Sequence, residues 1–429
     1  MGGFVLDVIS VGLSKFATII FGVTTSIIIA RELGPEQNGV IATLLVFPAL
    51  FMTVGSLGIR QSTTYYLGKN VFSEYDIKTA ITQIWLISSI VSIVVCFLLM
   101  TGFSSVEDNL VLILLALIPI PFSLFTTYNS GIFLGKNNIK EFNKINWMPS
   151  FLTMVLTIVL VLVLKFGIRG YLIALIAGPL YISVLMLFKN RFIEVLSLKF
   201  NWSVIKPMIR LGGVYAVALM FINLNARLDV ILLDSLSTDY ETGIYSKGYS
   251  VGNYLLQIPW MLNAIVFSRS AVASDDSVFS QKVTQLLRIT FLAILCVAFV
   301  LFLFSDLIIV TMFGNEFLDS SVVLKYLLLG VLFLSLFKIL NQDLAGKGKP
   351  WVSMKAMVPG LIVNVLLNYV LIPSFGAVGA SIASTISYTL AIILFVYFYS
   401  KEVNIPIKNI ISYKRSDFQP FIKILKKVK

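Results

Sequence analysis

Phe221-Ile-Asn-Leu-Asn-Ala-Arg-Leu-Asp-Val-Ile-Leu-Leu233 is a run fit for lipid with four polar side chains set into it: Asn223, Asn225, Arg227 and Asp229. An ionised side chain near a bilayer centre costs about 2.5–3.5 kcal/mol on insertion scales, so Arg227 and Asp229 need a reason to be there. The surrounding composition is that of a membrane protein. Of 429 residues, 58% are hydrophobic and only 13% charged, and the mean hydropathy is +0.93. A soluble chain of this size needs far more charge to cover its surface.

Apolar runs of about 20 residues, each enough to cross a roughly 30 Å hydrocarbon core as a helix, recur along the chain. They lie near 9–30, 38–60, 77–101, 109–134, 146–164, 170–188, 210–233, 243–268, 284–305, 320–343, 351–373 and 377–399. The expected fold is an all-α membrane protein of about twelve transmembrane helices. The first run follows Met1 without a basic leader and reads as a retained span rather than a cleaved signal. Pro48, Pro119, Pro121, Pro179, Pro259 and Pro359 fall inside runs and predict bends.

Lys and Arg set the orientation. Of the 33, 25 follow even-numbered runs or lie in the tail, among them Lys140, Lys144 and Lys199, and only Arg31, Lys165, Arg169 and Lys247 follow odd-numbered ones. Both termini are therefore expected in the cytoplasm. The net charge of +12 is a topology signal with a basic tail near anionic headgroups, not a nucleic-acid footprint. Histidine is absent, which excludes His-dependent acid/base catalysis, Ser-His-Asp triads and His-ligated metals. Cys96 and Cys296 read as packing residues.

The chain repeats weakly. Leu134-Gly-Lys-Asn matches Ala345-Gly-Lys-Gly, each followed by a proline, Pro149 or Pro359. Phe166-Gly-Ile-Arg-Gly170 matches Phe375-Gly-Ala-Val-Gly379, and Pro35-Glu-Gln-Asn-Gly-Val40 matches Asp239-Tyr-Glu-Thr-Gly-Ile244. Two pseudo-symmetric six-helix lobes around a central cavity follow, residues 1–205 and 206–400, with a basic cytoplasmic tail at 401–429. A six-span repeat starts and ends on one side, and transporters so built hold substrate between lobes near the midplane.

Several motifs also resemble a family. Arg31-Glu-Leu-Gly-Pro-Glu-Gln-Asn-Gly39 is similar to the R-x-LG-x-x-x-x-G signature of polysaccharide-export flippases. Asn364-Val-Leu-Leu-Asn368, Leu371-Ile-Pro, Gly376-Ala-Val-Gly-Ala-Ser-Ile-Ala-Ser384 and Ala226-Arg-Leu-Asp229 resemble its later blocks. The likeness is to O-antigen-type (Wzx) flippases of the multidrug/oligosaccharidyl-lipid/polysaccharide exporter superfamily. It implies a two-lobed transporter in the bacterial cytoplasmic (inner) membrane that moves a polyprenyl-diphosphate-linked glycan to the outer leaflet. Implied partners are that lipid-linked glycan, membrane lipid and polysaccharide-assembly enzymes. No cofactor is expected beyond a proton or sodium gradient.

A diphosphate needs cations or amide donors, and sugars need amides, hydroxyls and aromatic faces. Lys15 shares a stripe with Thr18, Gly22 and Ser26, within about 60° at 100° per residue. Lys338 shares a face with Ser335, Asn341 and Gln342. Lys15 and Lys338 are expected in the inner half and Arg227 in the outer half, with Arg60 and Lys247 extending the path at its ends. Tyr249, Asn253, Gln257 and Trp260 form a candidate sugar-contacting face, with a membrane-interface belt or plain helix packing as the slightly favoured alternative. Two positions apart on a helix is roughly 200°, so Arg227 and Asp229 cannot face each other. Asp229 is either an ion-coupling site or an interhelical packing residue. The alternatives are a drug exporter of the same superfamily, which wants cavity carboxylates rather than cations, a glycan polymerase or acyltransferase, and a scaffold. An enzyme is disfavoured because the outer loops are short and the histidine of an acyltransferase is missing.

Overall fold

The computed structural model describes residues 2–104, 109–136, 138, 141, 145–195, 200–271 and 276–418. Lys140, Lys144, Lys199 and the tail residues Lys423, Lys426, Lys427 and Lys429 lie outside them. Every element is a helix among the described residues: α1 (Gly2–Val54), α2 (Ile59–Gly68), α3 (Glu74–Phe103), α4 (Leu110–Leu117), α5 (Pro119–Gly135), α6 (Met148–Thr157), α7 (Gly167–Lys189), α8 (Trp202–Leu236), α9 (Asp239–Asn253), α10 (Gln257–Ala271), α11 (Asp276–Leu303), α12 (Ser305–Phe313), α13 (Asp319–Gly346), α14 (Val352–Val403) and α15 (Ile407–Ile411), with short 3-10 and π turns between some. Among the described residues, eight stretches are long and apolar enough to cross a membrane. The chain is a multi-pass membrane protein.

Two of these helices are too long for a single crossing. At 1.5 Å per residue the 53 residues of α1 and the 52 of α14 each run to nearly 80 Å, well over twice the hydrocarbon thickness. Each is broken by a glycine: Gly34 at φ 70°, ψ 177° and Gly376 at φ 50°, ψ −129°, conformations a Cβ resists. Pro35 follows the first break and has no N–H to give. The Asn38 amide donates to the carbonyls of Ile29 at 3.0 Å and Gly34 at 2.6 Å, pairing backbone that the break leaves open. The motif beginning at Arg31 is thus the chemistry of a helix break. Gly376→Val is expected to strain α14 by about 1–3 kcal/mol. Thermal unfolding in detergent would check this, with Gly376→Ala also destabilised because ψ −129° lies outside the left-handed region that a side chain tolerates.

Contact grouping divides the chain into two units, Met1–Asn223 with Thr238–Gly243, and Leu224–Ser237 with Ile244–Lys429. The first unit is built on a core that includes Ile59, Ile77, Ile81, Tyr128, Ile132 and Met208. Within it, the Asp239 carbonyl occupies the place of a Cβ at Gly39, and the Pro35 carbonyl occupies that of a Cβ at Gly243. The two matched segments therefore meet reciprocally, each needing its glycine. Further matched positions have matching conformations. Gly167 and Gly376 both have positive φ, at 59° and 50°. Lys136 and Lys347 both cap a helix C-terminus at Gly135 and Gly346, and both reach the start of an earlier helix, Lys136 to Glu74 and Lys347 to Ser280.

Some local expectations change. The run near 243–268 is not one regular helix: a 3-10 turn at Tyr254–Leu256 separates α9 from α10. Pro259 cannot donate to the Leu255 carbonyl, and the turn tightens just before it. Cys96 is buried, but Cys296 is exposed on α11 beside Phe299, Val300 and Leu303, all at least half exposed. An outward apolar face is what lipid contact requires, so Cys296 is a lipid-side residue rather than packing. Lys325 pairs with Asp306 at 2.8 Å.

Candidate functional site

Asp229 is completely buried on α8 and accepts four hydrogen bonds. Its Oδ1 takes Asn364 Nδ2 at 3.0 Å and Asn368 Nδ2 at 2.8 Å, one turn apart on α14. Its Oδ2 takes the Tyr245 hydroxyl of α9 at 2.5 Å and the Ser384 hydroxyl. The asparagines precede the break at Gly376 and Ser384 follows it, so the break lets both halves of α14 reach one carboxylate. One turn earlier on α8, Asn225 accepts from Ser387 at 3.2 Å and Ser387 donates to the Gly360 carbonyl at 2.9 Å, continuing the seam.

The four donors to Asp229 are neutral. A buried carboxylate held by neutral donors keeps its full charge unless something positive joins it. Two of the donors are hydroxyls, which can turn to accept instead. A proton on Oδ2 would therefore find an acceptor without any helix moving. Beside the carboxylate, Asn368 Oδ1 is a buried acceptor with no hydrogen-bond partner among the described residues. The site can carry its charge either bare or compensated.

Arg227 points the other way and is exposed, as the helical angle requires. Its charge lies within electrostatic range of Tyr249 and Tyr388. Lys338 on α13 is half-buried, its ammonium 5.2 Å from the ring centre of Trp260 on α10, and Trp260 is 52% exposed. Sequence spacing had placed these two on separate faces of interest, and the second unit brings them together as a cation on an aromatic plane. Asn253 and Gln257 are half-buried on either side of the 3-10 turn; Gln257 lies three residues before Trp260 on α10, while Asn253 ends α9. Lys247 is nearly buried, with its ammonium 5.5 Å from the Phe313 ring centre. In the first unit, Lys15 is half-buried and Arg60 exposed, close enough for their charges to interact. Beyond Gly22 on the Lys15 stripe is open space.

The sequence reading missed Tyr245 and Ser384, and a second buried acid. Asp343 on α13 accepts from Ser270 at 2.7 Å, Ser280 at 2.6 Å and Tyr399 at 2.7 Å, and pairs with Lys347 at 3.4 Å. Lys347 compensates Asp343 permanently, so this cluster ties α10, α11, α13 and α14 together and has no vacant charge. Among the described residues, no three His, Cys, Asp or Glu side chains gather as a metal site would need.

Residues 28–322 match the model of a family described as "Polysaccharide biosynthesis protein". The "Probable low-salt glycan biosynthesis flippase Agl15" of Haloferax volcanii is 24% identical over 387 residues, 88% of this chain and 79% of that protein. Among solved structures, the lipid II flippase MurJ in an inward closed conformation superposes with a TM-score of 0.73 at 16% identity, covering 98% of this chain and 96% of that one. An inward-facing multidrug resistance MATE family transporter of the MOP superfamily gives 0.70 at 14% identity, covering 90% and 94%. Both structural likenesses speak for the fold alone.

Proposed function

The chain belongs to the polysaccharide biosynthesis protein family, and from that premise we propose that it is a flippase. Its cargo is a polyprenyl-diphosphate-linked oligosaccharide of the O-antigen or capsule repeat-unit type, carried from the cytoplasmic to the outer leaflet of a bacterial inner membrane by alternating access. Two six-helix lobes, twelve spans in all with both termini cytoplasmic, rock about a central cavity. The relative named as a glycan biosynthesis flippase, aligned over most of both chains, supports the glycan class.

One observation carries the choice of an anionic cargo. Away from the helix ends and breaks, the exposed and half-exposed ionised groups include the cations Lys15, Arg227 and Lys338, with Arg60 at the start of α2, whereas the half-exposed acids Glu32 and Asp234 lie beside the break in α1 and at the end of α8. The central acid, Asp229, is sealed from view. Lys15 and Lys338 receive the diphosphate head from the inner side, Arg227 holds it in the outer half, and Trp260 offers its ring to a sugar. Moderate sites at several depths suit transport, because a uniformly strong site traps the head group. Asp229 serves as the ion-coupling site, its charge cancelled by a proton or sodium ion at one stage of the cycle.

The fold shared with a MATE transporter favours a second reading, export of cationic drugs. Binding to the protein in nanodiscs separates the two. A polyprenyl-diphosphate disaccharide should bind more tightly than the monophosphate, and Lys338→Gln should weaken it by about tenfold, the loss of one charge-assisted contact. Tight binding of a lipophilic cation, with no preference for the diphosphate, would move the assignment to drug export.

A further inference from the structure

Beyond α14 the chain folds back onto α11. Asn404 takes the left-handed conformation that asparagine tolerates, at φ 54° and ψ 38°, and Pro406 leads into α15. Ile405 and Ile410 are buried. Asp417, 1% exposed, grips Arg288 in a two-pronged pair, Nε to Oδ2 at 2.7 Å and Nη2 to Oδ1 at 2.8 Å. Arg288 Nη1 donates to the carbonyls of Asn409 at 2.8 Å and Ile410 at 3.2 Å, and Tyr413 donates to the Arg288 carbonyl at 3.2 Å. One arginine thus makes most of the polar contacts that join the segment to α11.

What this clamp displays is apolar. Ile407 is 40% exposed, Ile411 58%, Tyr413 43% and Phe418 41%, and the Tyr413 and Phe418 rings stack at 6.4 Å. Lys408 and Lys414 are exposed among them. Only residues 404–406 separate α15 from the end of a membrane-crossing helix, which keeps it within about 14 Å of that end at full extension. From 401 to 429 the chain has eight Lys and Arg against two acids, Glu402 and Asp417. Both acids are already engaged with cations elsewhere, Glu402 with Lys349 at 3.0 Å and Asp417 with Arg288. The remaining charge of the segment is uncompensated and positive.

We propose that residues 404–418 are an in-plane foot: Ile407, Ile411, Tyr413 and Phe418 enter the headgroup–acyl boundary, and Lys408 and Lys414 meet the phosphates of anionic lipid. Position, apolar exposure and charge together fit that occupant. The Arg288 guanidinium bonded to Asp417 holds its carboxyl below the usual carboxylate range. A depressed acid contributes stability above its unfolded value and loses it as pH falls through the folded one. The clamp is thus complete at neutral pH and opens only in acid.

The test uses the full chain with Cys96→Ala and Cys296→Ala, an environment-sensitive fluorophore on Ile411→Cys, and nanodiscs of phosphatidylcholine with or without phosphatidylglycerol. Brominated lipids should quench the probe, roughly twofold more strongly with anionic lipid present, and aqueous iodide should quench it poorly. Asp417→Asn should reverse that pattern, and the exchange Arg288→Asp with Asp417→Arg should restore it. Should the clamp variants fail to fold, Lys408→Gln with Lys414→Gln leaves the clamp intact and should remove only the anionic-lipid increment. Free iodide quenching with no bromolipid effect in the parent chain would overturn the proposal and point to a soluble partner. An anionic increment that survives loss of both lysines would also overturn the lipid-phosphate contact.

Discussion

Asp229→Asn is expected to give a folded protein whose translocation no longer responds to a proton or sodium gradient. The substitution keeps the shape and keeps an acceptor for one pair of donors. The new amide N–H₂ faces Tyr245 and Ser384, hydroxyls that can turn and accept. What is lost is the charge that an ion would cancel. Gradient-driven transport should fall by roughly tenfold or more, the span of a typical coupling free energy. Asp229→Ala is a different experiment. It strips the acceptor from four buried donors, each costing about 1–3 kcal/mol unpaired, and should sharply reduce the folded fraction. Measuring rate against each gradient separately, at matched protein, distinguishes the roles. An Asn variant with an undiminished gradient response would leave Asp229 as the knot tying α8, α9 and α14, and nothing more.

Arg227→Ala should abolish most transport while leaving insertion and thermal stability intact. Arg227 is exposed in the second unit, and removing it relieves an insertion cost of a few kcal/mol rather than breaking a packed contact. Its loss removes a charge-assisted contact of about 1.5–3 kcal/mol with an anionic head, which is about 10- to 100-fold in apparent affinity. Arg227→Lys separates charge from geometry, because a point charge cannot make the paired bonds a guanidinium gives a phosphate. Partial activity in the Lys variant would mean charge suffices. Wild-type rates from the Ala variant would take Arg227 off the path.

Much of the architecture was legible because hydrophobicity is additive along a chain. Each apolar run is helical over most of its length, and the helical angle alone turned Arg227 and Asp229 apart. The motif glycines Gly34 and Gly376 were visible as motif letters, though not as the breaks they make. The partners of Asp229 were harder. Asn364 and Asn368 stood out by their spacing, but Tyr245 and Ser384 are common residue types, and Ser384 lies 155 positions from Asp229 along the chain. A 3-10 turn at Tyr254–Leu256, which the regular period does not announce, interrupts the helix between Asn253 and Trp260. Charges near helix ends misled most. Arg288 counts among the cations that set the topology, yet it bonds to Asp417. The three-hydroxyl clasp on Asp343 has no sequence signature.

The most direct measurement is translocation in proteoliposomes containing a labelled polyprenyl-diphosphate oligosaccharide, with a membrane-impermeant glycosidase reporting the exposed leaflet. With an imposed proton or sodium gradient, the wild-type chain should transfer the glycan faster than empty vesicles or vesicles with Arg227→Ala. Glycan that stays in its original leaflet with wild-type protein, under either gradient, would contradict the flippase account.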